Sequence, residues 1–229
     1  MNTKHLLLTG SVAGLALRLC LPAMANPITI LGSASPGLVI PDNNLNGVAS
    51  TINLTAPLSE ITHVSLTLDI AGSPSAGDAY NGDYYAYLQF STGLIVLLNR
   101  IGPTPLGSPG SGINVTLSDG NPNIGAAPYT AGLPLTGTYA PQGGGASTGS
   151  SLGNTFGGLN PNGGWTLFIA DESPGGVGEL VSWSLDVTAR TTSAIPDDGS
   201  ALIMLVLGLS PLALWSLRQR RLGRRLTAK

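Results

Sequence analysis

Between residues 64 and 70 the chain alternates strictly: Val64, Leu66, Leu68 and Ile70 are apolar, while Ser65, Thr67 and Asp69 are polar. A period of two puts every apolar side chain on one face of an extended strand, whereas a helix would scatter them around its circumference. The same period returns at Ile113, Val115 and Leu117, at Trp165 and Leu167, and at Val181, Trp183, Leu185 and Val187. Ile52 with Leu54 and residues 84–90 add two more strands, and the unbroken apolar run 94–98 reads as a strand buried on both faces, suited to a central position. Between the strands lie turn-forming clusters, among them Ala71-Gly72-Ser73-Pro74-Ser75, Gly102-Pro103-Thr104-Pro105 and Ser118-Asp119-Gly120-Asn121-Pro122, and none of them favours a helix. Residues 143–164 hold nine glycines and no charge, the composition of a long surface loop or mobile arm. The class implied is all-β, one two-sheet sandwich of jelly-roll or immunoglobulin-like type, and periodicity cannot choose between those two.

The ends have a different character. Lys4 and His5 precede a mostly apolar run from residue 6 to 21, and Ala23-Met24-Ala25 supplies the small residues that signal peptidase needs at −3 and −1. Cleavage after Ala25 is expected, with a buried N-terminal helix as the alternative. At the other end seventeen uncharged residues, 201–217, are followed by Arg218, Arg220, Arg221, Arg224, Arg225 and Lys229. As a helix the run would extend roughly 25 Å, slightly short of the hydrocarbon core but recoverable by snorkelling arginines. The basic cluster would stay cytoplasmic, which places residues 26–194 outside the inner membrane. Three segments follow: a signal peptide over 1–25, a domain over 26–194 and a tail over 195–229.

The tail opens with Ile195-Pro196-Asp197-Asp198-Gly199. Motif, apolar run and basic end together resemble the C-terminal sorting signals of the PEP-CTERM type, in the variant that begins Val-Pro-Asp-Ser-Gly. This chain departs from that variant at its first and fourth positions. The resemblance covers about 30 residues and implies that an exosortase-like protease cuts near Ile195, Pro196 and Asp197, releasing the domain or transferring it to the outer surface or matrix of a bacterial cell. An uncut anchor is the alternative.

Charge and residue counts exclude several functions. Residues 26–194 carry ten acids against Arg100 and Arg190, a net −8, which repels a phosphate backbone and argues against nucleic acid as a partner. The single cysteine, Cys20, lies in the expected signal peptide, so cysteine chemistry and disulfides are excluded from the mature chain. His63 is its sole imidazole, on the strand face opposite Val64 and Leu66, where it reads as a solvated side chain. One imidazole cannot build a histidine triad for zinc. Asp171 and Glu172 are adjacent, which in a turn means two solvated carboxylates rather than a convergent acid and base. Tyr85 and Tyr87 share a face and Tyr84 points the other way, so core packing is preferred to a sugar-stacking row.

Several segments look like the P domain of proprotein convertases. They are Ile40-Pro41-Asp42-Asn43, the strand over 64–70, Gly82-Asp83-Tyr84-Tyr85-Ala86-Tyr87-Leu88, Gly164-Trp165-Thr166-Leu167-Phe168-Ile169-Ala170-Asp171 and Leu180-Val181-Ser182-Trp183-Ser184-Leu185. The match spans about 150 residues (38–189), and its most specific part is the pair of tryptophans eighteen residues apart. The resemblance implies a β jelly roll that, in the proteases, follows a subtilisin-like catalytic domain and supports its calcium-dependent stability. The 39 residues before Ile40 are too few for such a catalytic domain, and Ala71-Gly72 replaces the histidine usual after the first of these strands, so protease activity is not expected to carry over.

Calcium is the natural use for the acids, since a hard cation takes roughly six to eight oxygens from carboxylates, amides and carbonyls. Asp42, Asp78, Asp83, Asp119 and Asp171 are the candidate ligands, with Asp78 and Asp83 flanking one loop; a charged, soluble surface is the competing use of the same residues. The leading functional reading is an exported, surface-associated, non-catalytic interaction or structural module. The second is an accessory protein for a separately encoded subtilisin-like serine protease or other exported enzyme, and the third a hydrolase with a carboxylate site.

Overall fold

The computed structural model describes residues 26–73, 78–102, 108–144 and 151–191. The expected signal peptide with Ala25, and the tail with Ile195, Pro196, Asp197 and the span over 201–217, lie outside the described residues. Among the described residues no helix is long and apolar enough to cross a membrane.

The chain forms an all-β sandwich. The strands are β1 (Pro27–Ala34), β2 (Leu38–Ile40), β3 (Asn44–Leu54), β4 (Ser59–Gly72), β5 (Tyr84–Phe90), β6 (Gly93–Asn99), β7 (Ile113–Ser118), β8 (Leu135–Tyr139), β9 (Gly163–Asp171) and β10 (Gly178–Thr191). One sheet has the order β1-β10-β4-β7-β8, and β2 also pairs with β10; the other has the order β3-β9-β5-β6. Strands β7 and β8 run parallel, and the other neighbours are antiparallel. Strands β1 and β2 lie along the same edge of β10, broken at Pro36 and at Gly37, whose φ is +55°.

The alternation read from the sequence is the alternation of burial. Val64, Leu66, Leu68 and Ile70 are fully enclosed, and Leu66 and Leu68 face Leu185 and Trp183 across the β4–β10 ladder. A bulge between Leu180 and Ser182 lets both Leu180 and Trp183 point inward, so Val181 leaves the inward set that strict alternation had given it. From the opposite sheet Ile52, Tyr84, Leu88, Phe90, Trp165, Leu167 and Ile169 complete one continuous core. The Trp183 indole reaches across it and donates to Ser50 Oγ of β3 at 2.9 Å.

Two expectations are corrected. The apolar run 94–98 is β6, an edge strand rather than a central one. It is apolar because other elements cover it: a 3-10 turn, Gln142–Gly144, packs on it, and the Asn99 N–H donates to Gln142 Oε1 at 2.7 Å. The glycine-rich stretch also contains a helix, α1 (Leu152–Phe156). Ser151 caps it by accepting from the Asn154 N–H, and the Asp119 carboxylate accepts from Leu152 and Gly153 N–H at 3.0 and 2.8 Å. Leu152 and Phe156, one turn apart, are fully buried, so this segment closes the core instead of projecting from it.

Candidate functional site

Strand register builds a carboxylate cluster at one end of the sandwich. Asp171 is the last residue of β9, paired with Tyr84 of β5 on one side and Asn44 of β3 on the other. Asp83 immediately precedes β5 in a 3-10 turn, Asn81–Asp83, so the β5–β9 ladder brings it to Asp171 from 88 residues away in sequence. The backbone ties the two together, with the Glu172 N–H donating to the Asp83 carbonyl at 2.8 Å. Asp42 joins them from the turn before β3 and accepts from the Gly175 N–H at 2.9 Å. That turn passes through Asn43 at φ +48° and then a bulge centred on Gly47 at φ +51°, where any side chain would strike the Ile169 carbonyl.

Asp83 and Asp171 are 8% and 2% exposed, respectively, whereas Asp42 is exposed. Burial, reinforced by the charge of Asp171, pushes the Asp83 carboxyl from 3.8 up to about 6; Arg100 and a hydrogen bond with Ser173 act in the opposite direction. Asp171 is likewise raised by burial, and Asp42 raises it further. It is partly relieved by Arg100, by the Asn43 backbone and by the Ser173 N–H, which donates to its Oδ1 at 3.0 Å. The Tyr84 hydroxyl is buried beside the three acids without a hydrogen-bond partner, and burial, then Asp171, raises its pKa too.

Arg100 is the counter-cation that the sequence did not point to. Held at φ +53°, it donates from Nε to the Gly82 carbonyl at 3.3 Å and from Nη2 to Ser173 Oγ at 2.8 Å. Its only signal in the sequence is its rarity, as one of two arginines in the domain.

Of the five candidate calcium ligands, Asp42, Asp83 and Asp171 lie at the same end of the sandwich, near enough for their charges to raise one another's pKa values. Asp78 is exposed, with Ser111 Oγ 3.4 Å from its Oδ1, and is not among the charges that shift Asp83. Asp119 has both carboxylate oxygens engaged at the start of α1. Asp171 is a buried partner of Asp83 rather than a solvated partner of Glu172. Among the described residues no three acidic, histidine or cysteine side chains converge closely enough to hold a metal by themselves. A hard cation at this end would therefore have to draw on backbone carbonyls and water beside two buried carboxylates and one exposed one.

The other residues singled out, Tyr84 excepted, are not part of this cluster. His63 is exposed, with its Nε2 3.4 Å from Ser118 Oγ. Tyr84 is fully buried; Tyr85 and Tyr87 lie on the outer face, where Tyr87 stacks on Phe168 at 4.8 Å.

The sequence matches no family model and no curated protein. Among solved structures, the crystal structure of FlhE resembles this fold over 72% of the chain and 99% of its own length, with 9% identity and a TM-score of 0.37. That likeness is too slight to carry any argument about function.

Proposed function

We propose that this chain is an exported, surface-associated, non-catalytic interaction or structural module, a P-domain-like jelly roll sorted by its C-terminal tail. One observation supports the reading most. The Gly-Trp-x-Leu-x-x-x-Asp and Leu-x-x-Trp-x-Leu segments, which carry the resemblance, are β9 and β10 of opposite sheets; their tryptophans are buried in one core, and the first segment ends at Asp171 in the carboxylate cluster. In this reading the two segments are the framework of the module rather than parts of a catalytic centre.

The cation for which the module is suited is calcium, held by Asp83 and Asp171 with Asp42 at the rim. Calcium would supply positive charge where burial leaves two carboxylates facing one arginine. The chain's part is to present the oxygens, to hold them in place through Ser173, Asn43 and Gly175, and to exclude water from the inner side.

The test of export and sorting is the intact mass and fractionation of the native protein, comparing wild type with Pro196→Ala. A mature chain running from Asn26 to near residue 196, with release lost in the variant, is the expected result. Retention of the C-terminal apolar run in both proteins would overturn sorting and leave a permanently anchored domain.

A further inference from the structure

Among the described residues the two sheets end in four edge strands, β1 (with the short β2 in line), β3, β6 and β8. The free N–H and C=O groups along such an edge pair with any extended chain unless something blunts them. Three of the four are blunted. Strand β6 is covered: the Asn99 N–H is taken by Gln142, and Gly143 lies so close to the Val96 backbone that a Cβ there would come within 2.9 Å of its carbonyl oxygen. Strand β8 is five residues long, follows Pro134, turns through Gly137 at φ +123°, and has its Thr136 carbonyl taken by the Tyr139 hydroxyl at 3.1 Å. Strand β3 is bent by the Gly47 bulge.

Strand β1 has none of these devices. Its eight residues hold an unbroken register on β10, none has a positive φ, and none is charged. Among the described residues its backbone pairs with β10 and with nothing else. Its inner face rests on β3, so closely at Gly32 that a Cβ would strike Ile52 and Leu54, which fixes the face that turns inward and leaves Leu31 72% exposed on the other.

Evenly spaced donors and acceptors along such an edge are matched by an extended backbone. A second β1 supplies one. Residues 26–194 carry a net −8, so two copies approach each other only where no charge meets its like. Strand β1 is uncharged, and the acid beside Leu31 on β10, Asp186, would lie three strand spacings from its counterpart. That is about 14 Å, beyond the screening length of about 8 Å at physiological salt. Because side chains alternate, an antiparallel pairing about a two-fold axis keeps the inner faces together only when the paired residue numbers have an even sum. The pairing centred on Leu31 meets that condition: it sets Leu31 against its own mate and Thr29 against Ser33, and it covers the exposed leucine.

We propose that the domain forms a two-fold dimer through β1, paired antiparallel with β1 of a second copy and centred on Leu31. The pairing occupies the open edge of both copies, so the assembly closes at two instead of growing into a fibre. An edge about 27 Å long, backed by a sandwich wall about 15–20 Å deep, buries roughly 1,000 Å² in total, the low end of a specific interface. The dimer is therefore weak, with Kd on the order of 10–100 μM. The proposal goes beyond the functional reading and depends on neither calcium nor sorting.

Sedimentation of the native protein purified from its own cells tests the association. A monomer–dimer equilibrium is expected that tightens as salt rises from about 0.05 to about 0.5 M, because screening relieves the repulsion between two acidic domains. Leu31→Lys, a change at an exposed side chain, is expected to weaken it about tenfold or more by setting like charges opposite each other. Cysteine cross-linking of the full chain in its cells tests the register, in a Cys20→Ser background. Leu31→Cys is expected to give a disulfide-linked dimer on oxidation, since directly opposed residues have Cα atoms about 4.5–5.5 Å apart. Thr29→Cys alone is expected to give none, its mate lying about 13 Å away, but to link when expressed together with Ser33→Cys. Thr138→Cys on β8 is expected to stay monomeric. The proposal would be overturned by a wild-type protein that is monomeric up to about 500 μM, by fibres or larger oligomers, by association that weakens with salt, by equal cross-linking at Leu31, Thr29 and Thr138, or by cross-linking of Leu31→Cys to a different protein instead of a second copy.

Discussion

Strand β9 begins among aromatic rings and ends among carboxylates, and its two ends are held by opposite physics. Near its start Trp165 stacks on Phe90 at 4.0 Å and 4°, and Phe156 meets Trp165 edge-on at 5.0 Å. The indole N–H donates to the Pro161 carbonyl at 3.1 Å, so nothing polar is left over. Each such ring removes roughly 150–250 Å² from water, worth up to about 4–6 kcal/mol at about 25 cal/mol per Å². At the far end the same strand buries Asp171 next to Asp83, and burial there raises both pKa values and leaves the Tyr84 hydroxyl without a partner. One end gains from excluding water and the other loses by it. A strand that is stabilised at one end can carry a destabilised cluster at the other, and such clusters are where binding energy has something to relieve.

Trp165→Ala should show the largest effect. Removing a fully buried ring that touches two others is expected to cost about 3–5 kcal/mol, nearly constant between pH 5 and pH 8, as measured by denaturant unfolding. A strongly pH-dependent loss would show that the two ends of β9 are coupled.

The acidic end should respond to pH instead. The folded pKa of Asp83, about 6, lies above its ordinary value of 3.8, so the folded state holds the proton more tightly than the unfolded state does. The contribution is therefore complete below about pH 4 and is lost as pH rises through about 6, a fall of up to about 3 kcal/mol. Asp171 is raised as well and adds a change of the same sign. Asp83→Asn should flatten this part of the profile and raise Tm at neutral pH; an unaltered profile would mean that Asp83 titrates normally.

Calcium should act at the same end with the opposite pH dependence. Added calcium is expected to raise Tm by a few degrees at about pH 7.5, and far less at about pH 5, where protons occupy Asp83. The increment should vanish in Asp83→Asn and persist in Asp78→Asn. A melting curve indifferent to both calcium and chelator at pH 7.5 would remove calcium from the proposal.

The smallest effect concerns the helix that closes the aromatic end. Asp119→Ala removes the acceptor for two α1 amides and should cost about 1 kcal/mol, with the loss detected as faster amide exchange at Leu152 and Gly153. Asp119 is thus an acid whose work at this end is structural, in contrast to Asp83 and Asp171 at the other.

The period-two pattern was enough to place β4, β5, β7, β9 and most of β10, because an inward side chain in a sandwich must be apolar whatever lies opposite it. Strand β1 was missed: only one of its faces is partly covered, and Leu31 is 72% exposed, so burial imposes little pattern on it. The helix α1 was hidden by glycine density, although Ser151 three residues before Asn154, and Leu152 four before Phe156, carry the cap and the apolar pair. Strand β6 was misplaced because an apolar run records only that both faces are covered; a turn and a short helix cover an edge strand as well as two neighbouring strands would.

The candidate site divides along the same line. The acids themselves were legible. Which of them share one end was not, because Asp83 and Asp171 become neighbours only through the β5–β9 register, and Asp42 joins that end only through the turn before β3, where it accepts from the Gly175 N–H. Arg100 acquires meaning only once the chain is folded, from the charges around it. The sequence by itself determined most of the core strands, the apolar core and the sign of the domain's charge, since these depend on local periodicity and composition. The tertiary structure alone decided which polar groups are buried together, because burial and electrostatic coupling are properties of distances between residues far apart in the chain.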